Sequence, residues 1–332
     1  MVITMNRKRI RLIAFFITVL GSAWAIASAE SNADGGGIVG VGDYIVKVDN
    51  PTYKKGNGPK VFLDEGHNNY QTIADRYMGF AQAIEADGAS VKPFREKFTA
   101  QSLAEVDVLV ICNALNDKNA KEKEEINKWQ LPTPSAYTSD EIEAVHSWVK
   151  AGGSLLLIAD HMPFPGAATE MAAGFGVVMQ NNFAFDAAFT YKPGDMNLIT
   201  YYKKPPKPSV GKLFKHKISR GIDRVVTFTG SGFRMKPGIK HARILQLGDG
   251  SNTAWPTDHV DISMSTPFSA GVGLLQGATL PYGKGRVGVF GEASMFSVNY
   301  AFWADNYPLG FHNPEAPDNQ QFLLNVIHWL AK

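Results

Sequence analysis

The sequence predicts an α/β protein: a mostly parallel sheet with helices on both faces, and extra strands and loops in the C-terminal half. Three observations predict it. Short, continuously apolar runs recur through the first half, as expected of strands buried on both faces. Segments with helical periodicity lie between them. The order reads β-α-β-β-α-β, which calls for parallel crossovers rather than hairpins.

Lys60-Val61-Phe62-Leu63-Asp64 is the first strand of the body. From Tyr70 to Asp87, the apolar residues Ile73, Tyr77, Phe80 and Ile84 fall at i, i+4, i+7 and i+11, the period of a helix, and Gly88 is a natural stop. Ala89 to Phe94 and Asp107 to Cys112 read as the second and third strands. The polar segment from Asn116 to Ser135, with Pro132 and Pro134 near its end, predicts an excursion over the surface. Thr138-x-x-Glu141 is a capping box opening a helix along Ile142, Val145 and Val149, which Gly152 and Gly153 end. Ser154 to Ala159 is the fourth strand, Ala167 to Ala173 a helix, and Phe175 to Met179 a further strand. Beyond these, strands are expected at Val225–Phe228, Ile244–Leu247, Gly271–Leu275 and Arg286–Phe290, with a tight turn at Gly283-Lys284-Gly285. An amphipathic helix from Asn319 to Ala331 closes the chain. A single domain is expected over 58–332. The Gly-, Asn- and Asp-rich residues 30–57 form a tail and lead-in, in which Ile45 and Val46 offer a short edge pairing.

At the N-terminus, Arg7, Lys8, Arg9 and Arg11 precede an apolar run from Leu12 to Ile26, and Ala27-Ser28-Ala29 follows it. A charged start, a short apolar core and an A-x-A site predict a signal peptide cleaved after Ala29. The run is short for a membrane span, which needs roughly 20 apolar residues. The expected product is periplasmic or secreted, with no stable membrane insertion. The formal charge of +2 includes the leader's four basic residues, and without them 29 basic residues face 31 acidic ones. That balance is no footprint for nucleic acid. Cys112 is the only cysteine, so no intrachain disulfide forms. Its apolar surroundings suit a buried thiol better than a nucleophile.

In open parallel sheets, ligands bind beyond the carboxyl ends of the strands. Three polar clusters begin at such ends: Asp64-Glu65-Gly66-His67-Asn68-Asn69, Asp160-His161, and Gly291-Glu292-Ala293-Ser294. Neighbouring strands lie about 4.8 Å apart, so these tips can converge on one small ligand. Asp after a strand also caps helices and binds loop amides, and either histidine could be satisfied within its loop. Glu292, following a core strand among small residues, has fewer structural reasons for its place. His67, Asp160, His161 and Glu292 are ligand types for a divalent metal such as zinc or manganese, without the spacing of a known metal motif. The same groups, with Glu65, suit metal-free acid–base chemistry, with Asp64, Asn68, Asn69 and Ser294 binding substrate and the two amides donating to an oxyanion. His259 and His312 lie in polar loops that could join the site. Tyr300, Phe302 and Trp303 could form a sugar-stacking rim, although ordinary packing also explains them. No Gly-rich phosphate loop follows the first strand, so neither nucleotide nor flavin is expected.

Phe62–Asn68, Trp148–His161 and Gly283–Ala293 resemble the class I glutamine amidotransferase-like superfamily. Within it they are most similar to proteins with a DUF4350-type domain, and more distantly to ThuA-like proteins. The resemblance implies a flavodoxin-like three-layer sandwich with a pocket at the carboxyl edge of the sheet. It also implies a departure. Amidotransferases carry a nucleophilic cysteine on a sharp elbow after a strand, whereas here Asp160-His161 follows the fourth strand and Cys112 lies within another. Glutaminase activity is therefore not expected. Two readings remain: a hydrolase of a small polar or carbohydrate-related substrate, and a non-catalytic ligand-binding or sensor module.

Overall fold

The computed structural model describes residues 38–120, 129–188, 197–256, 265–302 and 306–332. The expected signal peptide, His259 and Trp303 lie outside these. The described residues form one compact unit.

The first half follows the expected order: β1 (Ile38–Gly40), β2 (Lys60–Asp64), α1 (Met78–Ala86), β3 (Ser90–Phe94), β4 (Val108–Cys112), α2 (Asp117–Ala120), α3 (Ser139–Ala151), β5 (Ser154–Ile158), α4 (Phe164–Ala173) and β6 (Val177–Met179). The second half is mainly short strands: β7 (Phe183–Asp186), β8 (Ile199–Tyr202), β9 (Gly211–Leu213), β10 (Arg224–Thr227), β11 (Phe233–Met235), β12 (Ala242–Gln246), β13 (Ser251–Ala254) and β14 (Phe268–Ala270). Then come the long hairpin β15 (Leu275–Tyr282) and β16 (Gly285–Phe290), β17 (Val298–Ala301), β18 (Tyr307–Gly310) and α5 (Asn319–Leu330).

The central sheet runs β10-β8-β9-β12-β15-β16-β5-β4-β2-β3. From β16 to β3 every pairing is parallel. Beyond β16, the β15, β12 and β10 pairings are antiparallel. Strand alternation sends side chains to opposite faces. Val108, Val110 and Cys112 join α1 and α5 in one core, while Leu109 and Ile111 join α3 and α4 in the other. The result is the expected three-layer α/β sandwich.

Several local expectations change. The helix expected from Tyr70 begins only at Met78, because residues before it are committed to turns. Tyr70 N donates to Asn113 O, and Asp75 N and Tyr77 N both donate to Thr72 O. Helix α4 starts early at Phe164, with Pro165 in the first turn where its missing N–H costs nothing. Gly271–Leu274 is a turn rather than a strand, and its Leu274 O accepts from Leu247 N. In the lead-in, β1 rather than Ile45-Val46 makes the edge, pairing antiparallel with β17. Val46 is buried and Ile45 exposed.

Candidate functional site

Each cluster sits where a parallel strand ends. Asp64 closes β2 and is fully buried. Its Oδ1 accepts from Gly66 N at 3.1 Å and faces His67 Nδ1 at 2.8 Å, while its Oδ2 accepts from Asn69 Nδ2 at 3.1 Å. On the other side of the imidazole, Nε2 lies 3.0 Å from Glu141 Oε1. With a carboxylate on each nitrogen, both nitrogens are donors, which is the imidazolium form. Burial opposes that charge, yet Asp64 and Glu141 outweigh it and hold the His67 pKa above its ordinary value. Burial likewise works to raise Glu141, and its bonds from His67 and Thr138 reverse this, leaving it below the usual carboxylate range. Glu141 is also the capping-box acid of α3, its Oε2 accepting from Thr138 Oγ1 at 2.7 Å. Phe98 and Tyr137 pack on the His67 ring, with centroids at 4.5 and 5.1 Å.

The other two clusters meet directly. Asp160 Oδ2 accepts from Ala293 N at 3.2 Å, next in the chain to Glu292. Asp160 Oδ1 accepts from His161 N at 2.8 Å, and Asp160 N donates to Asn113 Oδ1 at 2.9 Å. Glu292 is fully buried and accepts from Ser294 N and Met295 N at 2.7 and 2.8 Å. Burial raises both acids, and for Glu292 the neighbouring Asp160 charge adds to it, placing Glu292 well above the carboxylate range. Burial and a neighbouring like charge both favour the protonated form of a carboxyl.

Cys112, at the tip of β4, lies between the clusters. Its Sγ donates to Tyr77 OH at 3.3 Å, which donates to Ala293 O at 3.0 Å. Burial pushes the thiol far up, and nearby Asp160, Glu292 and Asp64 add to that. Asn69 Nδ2 bonds Cys112 O at 3.0 Å, tying the β2 loop to the same point. Segments around 67, 160 and 292 therefore share one rim, as the strand-end argument expects. A thiol so placed is not a nucleophile.

Several expected roles do not survive this geometry. Both His67 nitrogens are occupied, so it has no lone pair for a base. Glu65 turns away from the cluster: its Oε1 accepts from Ile73 N at 2.8 Å and its Oε2 from Arg95 at 2.8 Å. Asn68 donates to Leu115 O and Asp117 Oδ1 at 3.2 and 2.9 Å, and Asn69 to Asp64 and Cys112 O, so neither amide is free for an oxyanion. Ser294 contributes its backbone N–H to Glu292. Among the described residues no group of three or more His, Cys, Asp or Glu is placed to hold a metal ion. The expected set of His67, Asp160, His161 and Glu292 does not assemble, and internal hydrogen bonds claim both His67 nitrogens and the oxygens of Asp160 and Glu292. His312 packs between Tyr44 and Tyr300, at 5.6 and 4.9 Å.

His161 differs from His67. Its Nδ1 lies 2.8 Å from Met162 O, which fixes the proton on that nitrogen and leaves the Nε2 lone pair outward. The half-buried ring stacks on Phe183, with centroids at 4.4 Å and planes at 16°. Glu141, Asn113 and Tyr137 are site residues that the strand-end argument misses. For Glu141 a signal exists: it falls at i, i+4 and i+8 with Val145 and Val149 on the buried face of α3.

Gly230 packs on this rim with φ +95°, and a Cβ there would collide with Gly291 O and lie 2.9 Å from Glu292 Cβ. Gly230→Ala is expected to cost at least about 1 kcal/mol, read as a lower Tm by calorimetry. An unchanged Tm would show that the Gly291–Glu292 backbone is not tightly held.

Fold and site together define a class: a mixed α/β protein with a mostly parallel sheet and with acids and histidines at the carboxyl ends of its strands. No protein-family model and no curated protein sequence matches the chain, so the finer DUF4350-type assignment gains no support. Among solved structures, the chain is similar to the mmIFT52 N-terminal domain at 13% identity and TM-score 0.54, over 82% of this chain and 97% of that one. It is also similar to a putative ThuA-like protein from Bacteroides uniformis at 10% identity and TM-score 0.43, over 86% and 94%. A putative GMP synthase component from Thermoplasma acidophilum matches at 12% identity and TM-score 0.35, over 82% and 94%. At these identities the likeness concerns the fold and not the chemistry.

Proposed function

We propose that this protein is an exported hydrolase of a small polar, carbohydrate-related substrate, working at the tips of β5 and β16. The observation that carries this reading is buried Asp160 accepting from Ala293 N, the residue that follows fully buried Glu292. Burial raises both acids and the Asp160 charge raises Glu292 further, the direction a general acid needs. His161, with Nδ1 anchored and Nε2 outward, supplies the base. In the proposed step, Nε2 takes a proton from water as its oxygen bonds to the substrate carbon. The carbon–oxygen bond to the leaving group breaks, and that oxygen receives the proton of the acid pair. His67 holds the β2 loop to α3 and takes no part in proton transfer. Half-buried Phe183, which stacks on the His161 ring, is an aromatic ring of the kind that sugars stack on. Export rests on residues 1–29 alone.

The test is product formation by the purified protein from chromogenic glycosides and sugar acetyl esters. The hydrolase reading expects release from at least one, abolished by Asp160→Asn. A second reading, a ligand-binding or sensor module without turnover, is favoured by one observation: the oxygens of Asp64 and Glu292 and both His67 nitrogens are filled from within the chain. Ligand-induced stabilisation with no product from any substrate would support that reading and end the first.

A further inference from the structure

At the edge of the sheet opposite the candidate site, the end of α5 meets the starts of β5 and β16. Ser154 Oγ donates to Leu330 O there, and Arg286 Nη1 to Trp329 O. Beside this junction, between α5 and the turn joining β9 to β10, lies a cavity of about 190 Å³. Lys217, Arg220, Asn325, His328, Trp329 and Lys332 line it, with no carboxylate side chain among them. The turn is firmly placed. Ile218 and Ser219 are buried, and Asn325 Nδ2 donates to Ile218 O and Arg220 O at 2.9 and 3.0 Å. Ser219 Oγ accepts from His216 N at 2.9 Å and donates to Phe214 O at 2.8 Å. Lys217 and Arg220 are thus exposed cations on a pinned backbone. His328 is fixed too: its Nε2 lies 2.5 Å from Asp87 Oδ2, and Tyr53 packs edge-on at 5.7 Å. Among the described residues, the Lys217 ammonium, the Arg220 guanidinium, His328 Nδ1 and Trp329 Nε1 have no hydrogen-bond or ion-pair partner.

We propose that this cavity binds a phosphoryl group, as free phosphate or as a small phosphate monoester. The ligand class follows from the atoms. Lys217, Arg220 and Trp329 offer only donors, and His328 offers one when protonated. An imidazolium at His328 balances Asp87, and the ammonium of Lys332 is offset by its own carboxylate. Two positive charges remain, against about −1.5 to −2 on a phosphoryl group at pH 7. The guanidinium fork of Arg220 matches phosphate oxygens in pairs. The C-terminal end of a helix disfavours an anion, but Arg286 and Ser154 already hold two of the last carbonyls of α5. The volume decides size. Pockets for drug-sized ligands start at roughly 300 Å³, so this one suits a small ion or ester. It stands at the other end of β5 from Asp160 and is independent of the hydrolase reading.

Isothermal titration calorimetry of the full chain at pH 7 and fixed ionic strength tests this, with inorganic phosphate, glycerol phosphate and acetate as ligands. Phosphate is expected to bind with a Kd of about 1 mM or below. Lys217→Gln and Arg220→Gln should each raise that Kd about tenfold or more, the effect of losing one hydrogen bond to a charged group. The ligand-free Tm should move no more than for an ordinary surface substitution, since neither side chain has a partner to lose. Lys236→Gln is the control. It removes the same charge from the other face of the sheet, where Lys236 Nζ donates to Ala173 O at the end of α4, and should leave Kd unchanged. Tighter binding of glycerol phosphate than of phosphate would mark the ester as the source, and equal or weaker binding the free ion. Either result keeps the site. No binding of phosphate, an unchanged Kd in Arg220→Gln, an equal loss in Lys236→Gln, or acetate bound as tightly as phosphate would each overturn it.

Discussion

His161→Ala is expected to slow hydrolysis at least about 100-fold, the lower range for losing a general base. The loss should fall on kcat, because the ring's Nε2 acts on water rather than holding substrate. Stability should change little. The ring is half-buried, and its one polar anchor is Met162 O. Steady-state kinetics at pH 7 together with a thermal melt separate the two effects. Full activity in the folded variant would remove His161 as the base.

The largest stability effect is expected at the other histidine. His67→Ala leaves Asp64 and Glu141 buried and facing each other without the cation between them. Breaking such an arrangement costs about 3–5 kcal/mol. The pH dependence follows from both partners. The His67 pKa is raised, so its contribution is complete below the unfolded value of 6.5 and is lost as pH rises through the higher folded value. The Glu141 pKa is lowered, so its contribution is complete above 4.5 and is lost as pH falls through the lower folded value. The difference between wild type and variant should therefore be widest between 4.5 and 6.5 and narrow on both sides. Denaturant titrations across that range measure it. A difference that does not vary with pH would mean that His67 is held by packing against Phe98 and Tyr137 rather than by charge.

The parallel half of the fold was legible because its strands are continuous apolar runs whose alternate residues feed two cores. Leu109 and Ile111 face one helical layer, and Val108 and Val110 face the other. The C-terminal half was much less so. Strands such as β9 and β13 have three or four residues and mix polar with apolar positions, and partners far along the chain define them. The strand-end rule found the rim but not the roles on it. Whether His67 or His161 has a free nitrogen depends on Glu141, 74 residues away, and on the Met162 carbonyl next door. Local sequence carries the second of these and not the first. The expected helix over Ile73 and Tyr77 failed for a related reason: Tyr77 is buried, but it points its hydroxyl at Ala293 from the base of a turn.

Asp160 and Glu292 are proposed to hold one proton between them at neutral pH. Infrared spectroscopy of the folded protein at pH 7 tests it through the carbonyl stretch of a protonated carboxylic acid. Such a band is expected in the wild type and absent in Glu292→Gln. A wild-type spectrum in which every carboxyl is ionised at pH 7, or a band untouched by the substitution, would contradict it.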